Sequence, residues 1–204
     1  MKKLVIAEKP SVGREIARNL GCFQKEKGYT EGPDYIVTWA LGHLVELAEP
    51  QHYSESYKRW SLKTLPMLPE HLDQVVIDES KEQFDVISSL LSRDDISSVV
   101  IATDAGREGE LVARWILKLS GYEGKAERLW ISSQTEKAIK EGFENLRPAS
   151  DYDNLYHAAE CRAAADWYVG MNVTRALTCY YDAKLSSGRV QTPTLALMTA
   201  REDE

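Results

Sequence analysis

Cysteine is scarce in this chain of 204 residues: Cys22, Cys161 and Cys179 are odd in number and widely scattered. That excludes a disulfide framework and a zinc site built on paired cysteines, and the three read as reduced, mostly buried thiols. Long apolar runs are also missing. Nothing approaches the roughly 20 residues of a membrane span, and the few apolar residues after Met1-Lys2-Lys3 are too short for a secretory signal. The expected location is the cytoplasm, with no membrane partner. The twelve glycines spell neither G-x-G-x-x-G nor a P-loop, so a nucleotide cofactor or an ATPase loses support. Positive charge is in deficit, with 25 Lys and Arg against 32 Asp and Glu and a net charge of −7. Such a chain does not coat DNA through a general positive field, and any nucleic acid must be held locally. The acidic excess suits carboxylates that gather a divalent ion, and it suits plain solubility equally well.

What is present is enough apolar material, 43% of the residues, to bury a sizeable core in one or two domains. Leu4-Val5-Ile6-Ala7 reads as a strand that leads through Pro10-Ser11 into a helical pattern from Val12 to Leu20. Tyr35 to Leu41, Val75-Val76-Ile77 and Val99 to Ala102 read as further strands. Between and after them, Lys81–Leu91 and Leu111–Leu119 have helical spacing. Strands alternating with amphipathic helices predict an α/β fold with a mainly parallel sheet. Ser133 and Glu136 stand at capping-box spacing before another helix. Near residue 150, at Arg147-Pro148-Ala149-Ser150, the strand signals stop. Tyr152–Tyr181, interrupted by Gly170, predicts one kinked helix or two consecutive ones, and Arg189–Ala200 predicts one more. The expected division is residues 1–150, an α/β domain, and residues 151–204, an all-helical segment.

The chemistry concentrates in Asp104-Ala105-Gly106-Arg107-Glu108-Gly109-Glu110, which follows an apolar strand and opens a helix. Ligands of open α/β sheets bind at that carboxyl edge. Magnesium takes hard oxygen ligands, commonly one or two carboxylates with waters and a phosphate, which suits Asp104 and Glu108. Glu110 is better read as a residue that favours a helix N-terminus through the macrodipole. Glu8, with Lys9 beside it, ends the first strand, and parallel strand ends converge, so Glu8 is expected near Asp104. There a carboxylic acid can give a proton to a leaving oxygen and a lysine can hold a phosphate. Taken alone, a Glu-Lys pair is more often a surface pair.

Four segments in order carry a resemblance: Ile6-Ala7-Glu8-Lys9-Pro10-Ser11, Gly42-His43-Leu44, Ala102-Thr103-Asp104-Ala105-Gly106-Arg107-Glu108-Gly109-Glu110, and Ser187-Gly188-Arg189-Val190-Gln191-Thr192-Pro193-Thr194. The sequence resembles the type IA DNA topoisomerases of the bacterial topoisomerase III kind, from end to end. The resemblance implies a Rossmann-like Toprim domain over residues 1–150 and the start of a helical domain that grips single-stranded DNA over 151–204. It also implies a magnesium cofactor held by Glu8, Asp104 and Glu108, with Glu8 and Lys9 catalytic. Arg189 and Gln191 are similar to groove residues that meet the DNA, with Arg162 and Arg175 as weaker candidates and His43 and Arg107 as possible cleft residues. Gly106 departs from the pattern, because many relatives have a second aspartate there.

The implied activity is ATP-independent breakage, passage and rejoining of single-stranded DNA, or of single-stranded regions of duplex DNA, through a 5′-phosphotyrosine in a nucleoid-associated cytoplasmic enzyme. The attacking tyrosine is not expected here: Tyr152, Tyr156, Tyr168, Tyr180 and Tyr181 have apolar neighbours that read as packing. Packing is also the expectation for most of Trp39, Trp60, Trp115, Trp130 and Trp167, although any of them can stack on a base. Two other functions stand as alternatives. A Toprim nuclease or primase would direct water or a nucleotide hydroxyl at phosphorus with the same carboxylates, and a non-catalytic DNA-binding module would need none of them.

Overall fold

The computed structural model describes residues 1–203, and these separate into two compact units: residues 1–46 with 74–159, and residues 47–73 with 160 onward. The first unit is built on a seven-stranded sheet. Its strands are β1 (Lys2–Ala7), β2 (Gln24–Glu26), β3 (Tyr29–Glu31), β4 (Tyr35–Trp39), β7 (Ile96–Ala102), β8 (Ala126–Arg128) and β9 (Arg147–Pro148), in the order β2-β3-β4-β1-β7-β8-β9. The central four, β4, β1, β7 and β8, run parallel, and antiparallel strands close both edges. Two further strands, β5 (Val45–Leu47) and β6 (Gln74–Val76), form a separate ribbon. Of the apolar run Val75-Val76-Ile77, the two valines lie in a strand, but it pairs with β5 outside the parallel sheet, and Ile77 follows its end.

The reason for parallel pairing is visible along β1, where Leu4, Val5, Ile6 and Ala7 are all fully buried. A strand with no solvent face needs cover on both sides, and crossover helices supply it. Val5 and Ala7 pack with Val37, Val100 and Ala102 beneath α1 (Pro10–Asn19) and α5 (Glu136–Glu144), through Ile16, Ala17 and Ile139. On the other face α3 (Lys81–Leu91) is anchored by the buried Gln83, which donates to the Trp39 carbonyl at 2.7 Å and to Thr38 Oγ1 at 3.2 Å. The helix α4 (Arg107–Leu119) buries Leu111, Trp115 and Ile116. Its first turn extends earlier than the apolar spacing alone marks.

The cap of α5 is not where the capping-box spacing put it. Thr135 caps the helix, its Oγ1 accepting from the Ala138 N–H at 3.4 Å, while Ser133 bonds back to Thr135. A threonine two residues closer to the first buried residue, Ile139, wins because it reaches the free N–H without a longer loop.

The second unit contains α2 (Pro50–Tyr53), most of α6 (Asp153–Tyr181) and α7 (Gln191–Glu202). Helix α6 runs through Gly170 as one element, because Trp167, Tyr168 and Asn172 around it are bonded to the 47–73 segment: Trp167 Nε1 donates to Ala48 O at 2.9 Å, Tyr168 to Pro69 O at 2.8 Å, and Asn172 to Met67 O at 3.0 Å. Of the three thiols only Cys22 is buried, and Cys161 is exposed on α6. Trp39, Trp115 and Trp167 pack inside, whereas Trp60 and Trp130 keep almost half their surface. Tyr152, stacked on Trp130, and Tyr168 are packing residues; Tyr180 and Tyr181 touch mainly each other and stand exposed at the end of α6. No helix among the described residues is long and apolar enough to cross a membrane.

Candidate active site at the carboxyl edge of the sheet

Strands β1 and β7 are paired in register to their last residues, Ala7 opposite Ala102, so the chain leaves both at the same edge. Glu8 follows one and Thr103-Asp104 the other. Across this gap the Glu8 carboxylate accepts the Asp104 backbone N–H at 2.9 Å, and the Lys9 ammonium lies 4.0 Å from the Asp104 carboxylate. Lys9 is also the residue that precedes α1, whose first position is Pro10, a ring that begins a helix without wasting an N–H. The Asp104 and Lys9 side chains are both more than half exposed, open to a ligand.

The end of β4 arrives at the same place. Gly42, at φ 90°, makes a turn that favours glycine, and its N–H donates to the Glu8 carbonyl at 3.3 Å. His43 is the next residue and is exposed. Arg107 and Glu108, also exposed, open α4 on the far side of Asp104. A cavity of about 520 Å³ adjoins, with Val12, Ile16 and Ile131 as its apolar wall and Thr103, Ser132 and Gln134 among its polar residues.

Among the described residues no three His, Cys, Asp or Glu side chains gather closely enough to hold a metal by themselves. What the edge offers is Glu8 against the Asp104 backbone, with the Asp104 carboxylate free to turn outward. Oxygen donors of this number fit magnesium, which leaves several positions to water and substrate phosphate, and they do not suit a metal that needs a closed protein cage. Gly106 has φ 175° and ψ 177°, extended backbone open to any residue, and a side chain there would meet no atom within 4 Å.

The edge has a buried support that sequence reading did not find. Glu110 is fully buried, paired with the equally buried Arg128 and with Arg114 at 3.3 Å. Glu110 thus stands in the first turn of α4, as the helix-terminus reading had it, and is in addition the acid of an internal ion-pair cluster. Arg128 also donates to the carbonyls of Ile101, Thr103, Asp104 and Leu129 at 2.7–3.1 Å. Burial pushes the Arg128 pKa down, and Glu110 only partly offsets it. The signal available in the sequence was a lone arginine inside Leu129-Trp130-Ile131 and its preceding strand; which carboxylate it met was not readable. Gly109 was missed too. A Cβ there would stand 2.0 Å from the Asp104 carbonyl oxygen, so only glycine lets α4 start this close to the loop.

The second unit gathers the other candidates. Arg162 on α6 and Arg189 both face Asp166, at 3.7 and 3.4 Å, and each keeps over a third of its side chain exposed. The segment bearing Arg189 is stitched to α6, where Thr174 Oγ1 accepts from the Ser187 N–H at 3.0 Å, and Gln191 reaches Ser186 at 3.3 Å. Arg175 differs: it is buried, donates to the Tyr57 carbonyl and lies over the Trp60 ring at 5.1 Å. Its guanidinium is turned inside the unit, with Nε buried and without a hydrogen-bond partner among the described residues.

Comparison with known proteins agrees with this layout. The Toprim domain family matches residues 3–134, and the family described as DNA topoisomerase matches residues 150–204. Proteins named DNA topoisomerase 3 from Shouchella clausii, Bacillus cereus and Bacillus subtilis are 59%, 58% and 58% identical over 98–100% of this chain. The chain spans 28% of the length of each. The solved full-length topoisomerase I of Thermotoga maritima superposes with a TM-score of 0.66 over 98% of this chain and 30% of its own, at 22% identity, a likeness of fold. With the Toprim model matched over most of its length, the chain belongs to the Toprim domain family, and it is similar from end to end to the corresponding part of bacterial proteins named DNA topoisomerase 3.

Proposed function

We propose that this chain supplies the magnesium- and phosphate-binding half of an enzyme that breaks, passes and rejoins single-stranded DNA without ATP. The observation that carries the reading is the convergence of Glu8, Lys9 and Asp104, from positions 96 residues apart, within hydrogen-bond and ion-pair reach. In this reading residues 1–150 hold the chemistry and 151–204 begin the strand grip, in a cytoplasmic, nucleoid-associated enzyme.

Glu8 and Asp104, with Glu108 on the neighbouring turn, would hold magnesium, which when bound offsets negative charge on the phosphate. Lys9 reaches the non-bridging oxygens of the phosphate as a point charge. Glu8, one oxygen of which is anchored on the Asp104 amide, is placed to relay a proton to the departing sugar oxygen in exchange for its contact with the ion. His43 and Arg107 flank that position, and the adjoining cavity receives the sugar and base next to the phosphate. Arg189, Gln191 and Arg162 contact the strand in the second unit: the arginines position phosphates, and Gln191 meets sugar or base. The attacking tyrosine comes from the remainder of the longer enzyme. Titration calorimetry with magnesium tests the assignment, for the chain and for Asp104→Ala. Heat lost in the variant supports it, and equal heats overturn it.

A further inference from the structure

Among the described residues the Asp104 carboxylate, itself exposed, has only Lys9 at 4.0 Å to aim it, yet the backbone that carries it is bonded on both flanks. The peptide plane between Thr103 and Asp104 is bonded at both ends, the Thr103 carbonyl by Arg128 Nη1 at 2.8 Å and the Asp104 N–H by Glu8 at 2.9 Å. The next plane is bonded at the Asp104 carbonyl by Arg128 Nη2 at 2.7 Å, on an oxygen already backed by Gly109. Peptide planes are rigid, so fixing the two that flank one Cα fixes its φ and ψ, and with them the direction of the Cα–Cβ bond from which the carboxylate swings.

We infer that Arg128 is a positioning residue of this site: locked to Glu110 inside the fold, its planar fork sets the two peptide planes that aim Asp104 at a metal-bound phosphate. The inference rests on the reading of Asp104 as a magnesium ligand. A lysine would satisfy the charge of Glu110 but, as a single point donor, would not span two successive carbonyls. Buried charge pairs add little net stability over apolar residues of similar size, so stability alone does not account for an arginine in this place. Outer-shell partners of metal ligands do account for one, and their loss typically weakens a metal about 10- to 100-fold.

The test uses Mn²⁺ as the probe, counted by the loss of its free electron-paramagnetic-resonance signal, together with thermal melts and amide exchange read by NMR. The variants are Arg128→Lys, which keeps the charge pair and loses the fork, and the double change Glu110→Met with Arg128→Met, which removes the pair; Asp104→Ala serves as the reference. The expected result is folded variants that bind Mn²⁺ at least about 10-fold more weakly, with faster exchange of the Asp104 amide in Arg128→Lys. Wild-type affinity in a folded Arg128→Lys protein overturns the inference. Wild-type affinity in Asp104→Ala would instead overturn the underlying site. Should neither variant fold, the unaltered protein decides through the Arg128 Nη protons that bond the Thr103 and Asp104 carbonyls: resolved, slowly exchanging guanidinium resonances support the clamp, and guanidinium protons averaged by rapid rotation and exchange refute it.

Discussion

Asp104 and Gly106 are two residues apart and respond to different constraints. Asp104 is fixed by bonds to its backbone, whereas Gly106 sits in extended geometry with free space around it. Gly106→Asp is therefore expected to fold normally and to tighten magnesium by adding a carboxylate oxygen, a gain that calorimetry would read directly. Glu31 shows what an ion pair does elsewhere in the same unit. Hydrogen bonds from Arg93, at 3.0 and 3.1 Å, outweigh burial and, with help from Lys2, hold its carboxyl below the ordinary 4.5. A depressed folded pKa means that the stabilisation is complete above about pH 4.5 and disappears as pH falls through the lower folded value. Glu31→Gln should cost roughly 1.5–3 kcal/mol at pH 7, as for hydrogen bonds to charged groups, and melts of the two proteins should converge in acid. Cys22 titrates the other way, burial pushing its thiol up to about 11. Iodoacetamide at pH 8 should therefore label Cys161 in the native protein and Cys22 only after unfolding, since the thiolate is the reactive form.

At the scale of elements, the helices owe their limits to local chemistry and their places to burial. Thr135→Ala should destabilise by about 1 kcal/mol through loss of the α5 cap, measured by chemical denaturation. Gly170 tests the continuity of α6. A Cβ there meets nothing nearer than the Ser187 carbonyl at 3.9 Å, so Gly170→Ala should raise stability by about 1 kcal/mol, the usual helix-interior difference. Destabilisation would instead show that the glycine has a packing duty. The same residue drew attention in the sequence as a break, because propensity is a local quantity. Burial of Trp167 and the bonds of Tyr168 and Asn172 to distant carbonyls override it.

For the whole molecule, the exposed cations Arg162 and Arg189 share one acid, Asp166, and the net charge is −7. Binding of single-stranded DNA by this chain should accordingly be modest, and each phosphate contact should contribute about −0.7 to the log–log salt slope. Asp166→Asn should strengthen it by releasing both arginines, an effect that fluorescence anisotropy would register. No covalent adduct is expected when the chain is mixed with labelled single-stranded DNA and magnesium and then denatured. A protein-bound band lost on changing Tyr180 or Tyr181 to phenylalanine would show that the nucleophile lies here after all.

Composition, spacing and four ordered motifs determined the α/β class, the parallel central strands, the helix that follows Asp104 and the residues that carry charge at the strand ends. These are legible because burial on both faces writes a continuous apolar run, and because a helix start and a strand end are local events. The tertiary structure alone decided what is non-local. It sent Val75-Val76 to a separate ribbon, exposed Tyr180 and Tyr181, buried Arg175 against Trp60, and turned Glu110 inward to meet Arg128. A buried charge is permitted only by its partner, and the partner of Glu110 lies 18 residues along the chain. Nothing in the neighbouring sequence of either residue marks that pairing, since it exists only once β7 and β8 lie side by side and α4 packs against them.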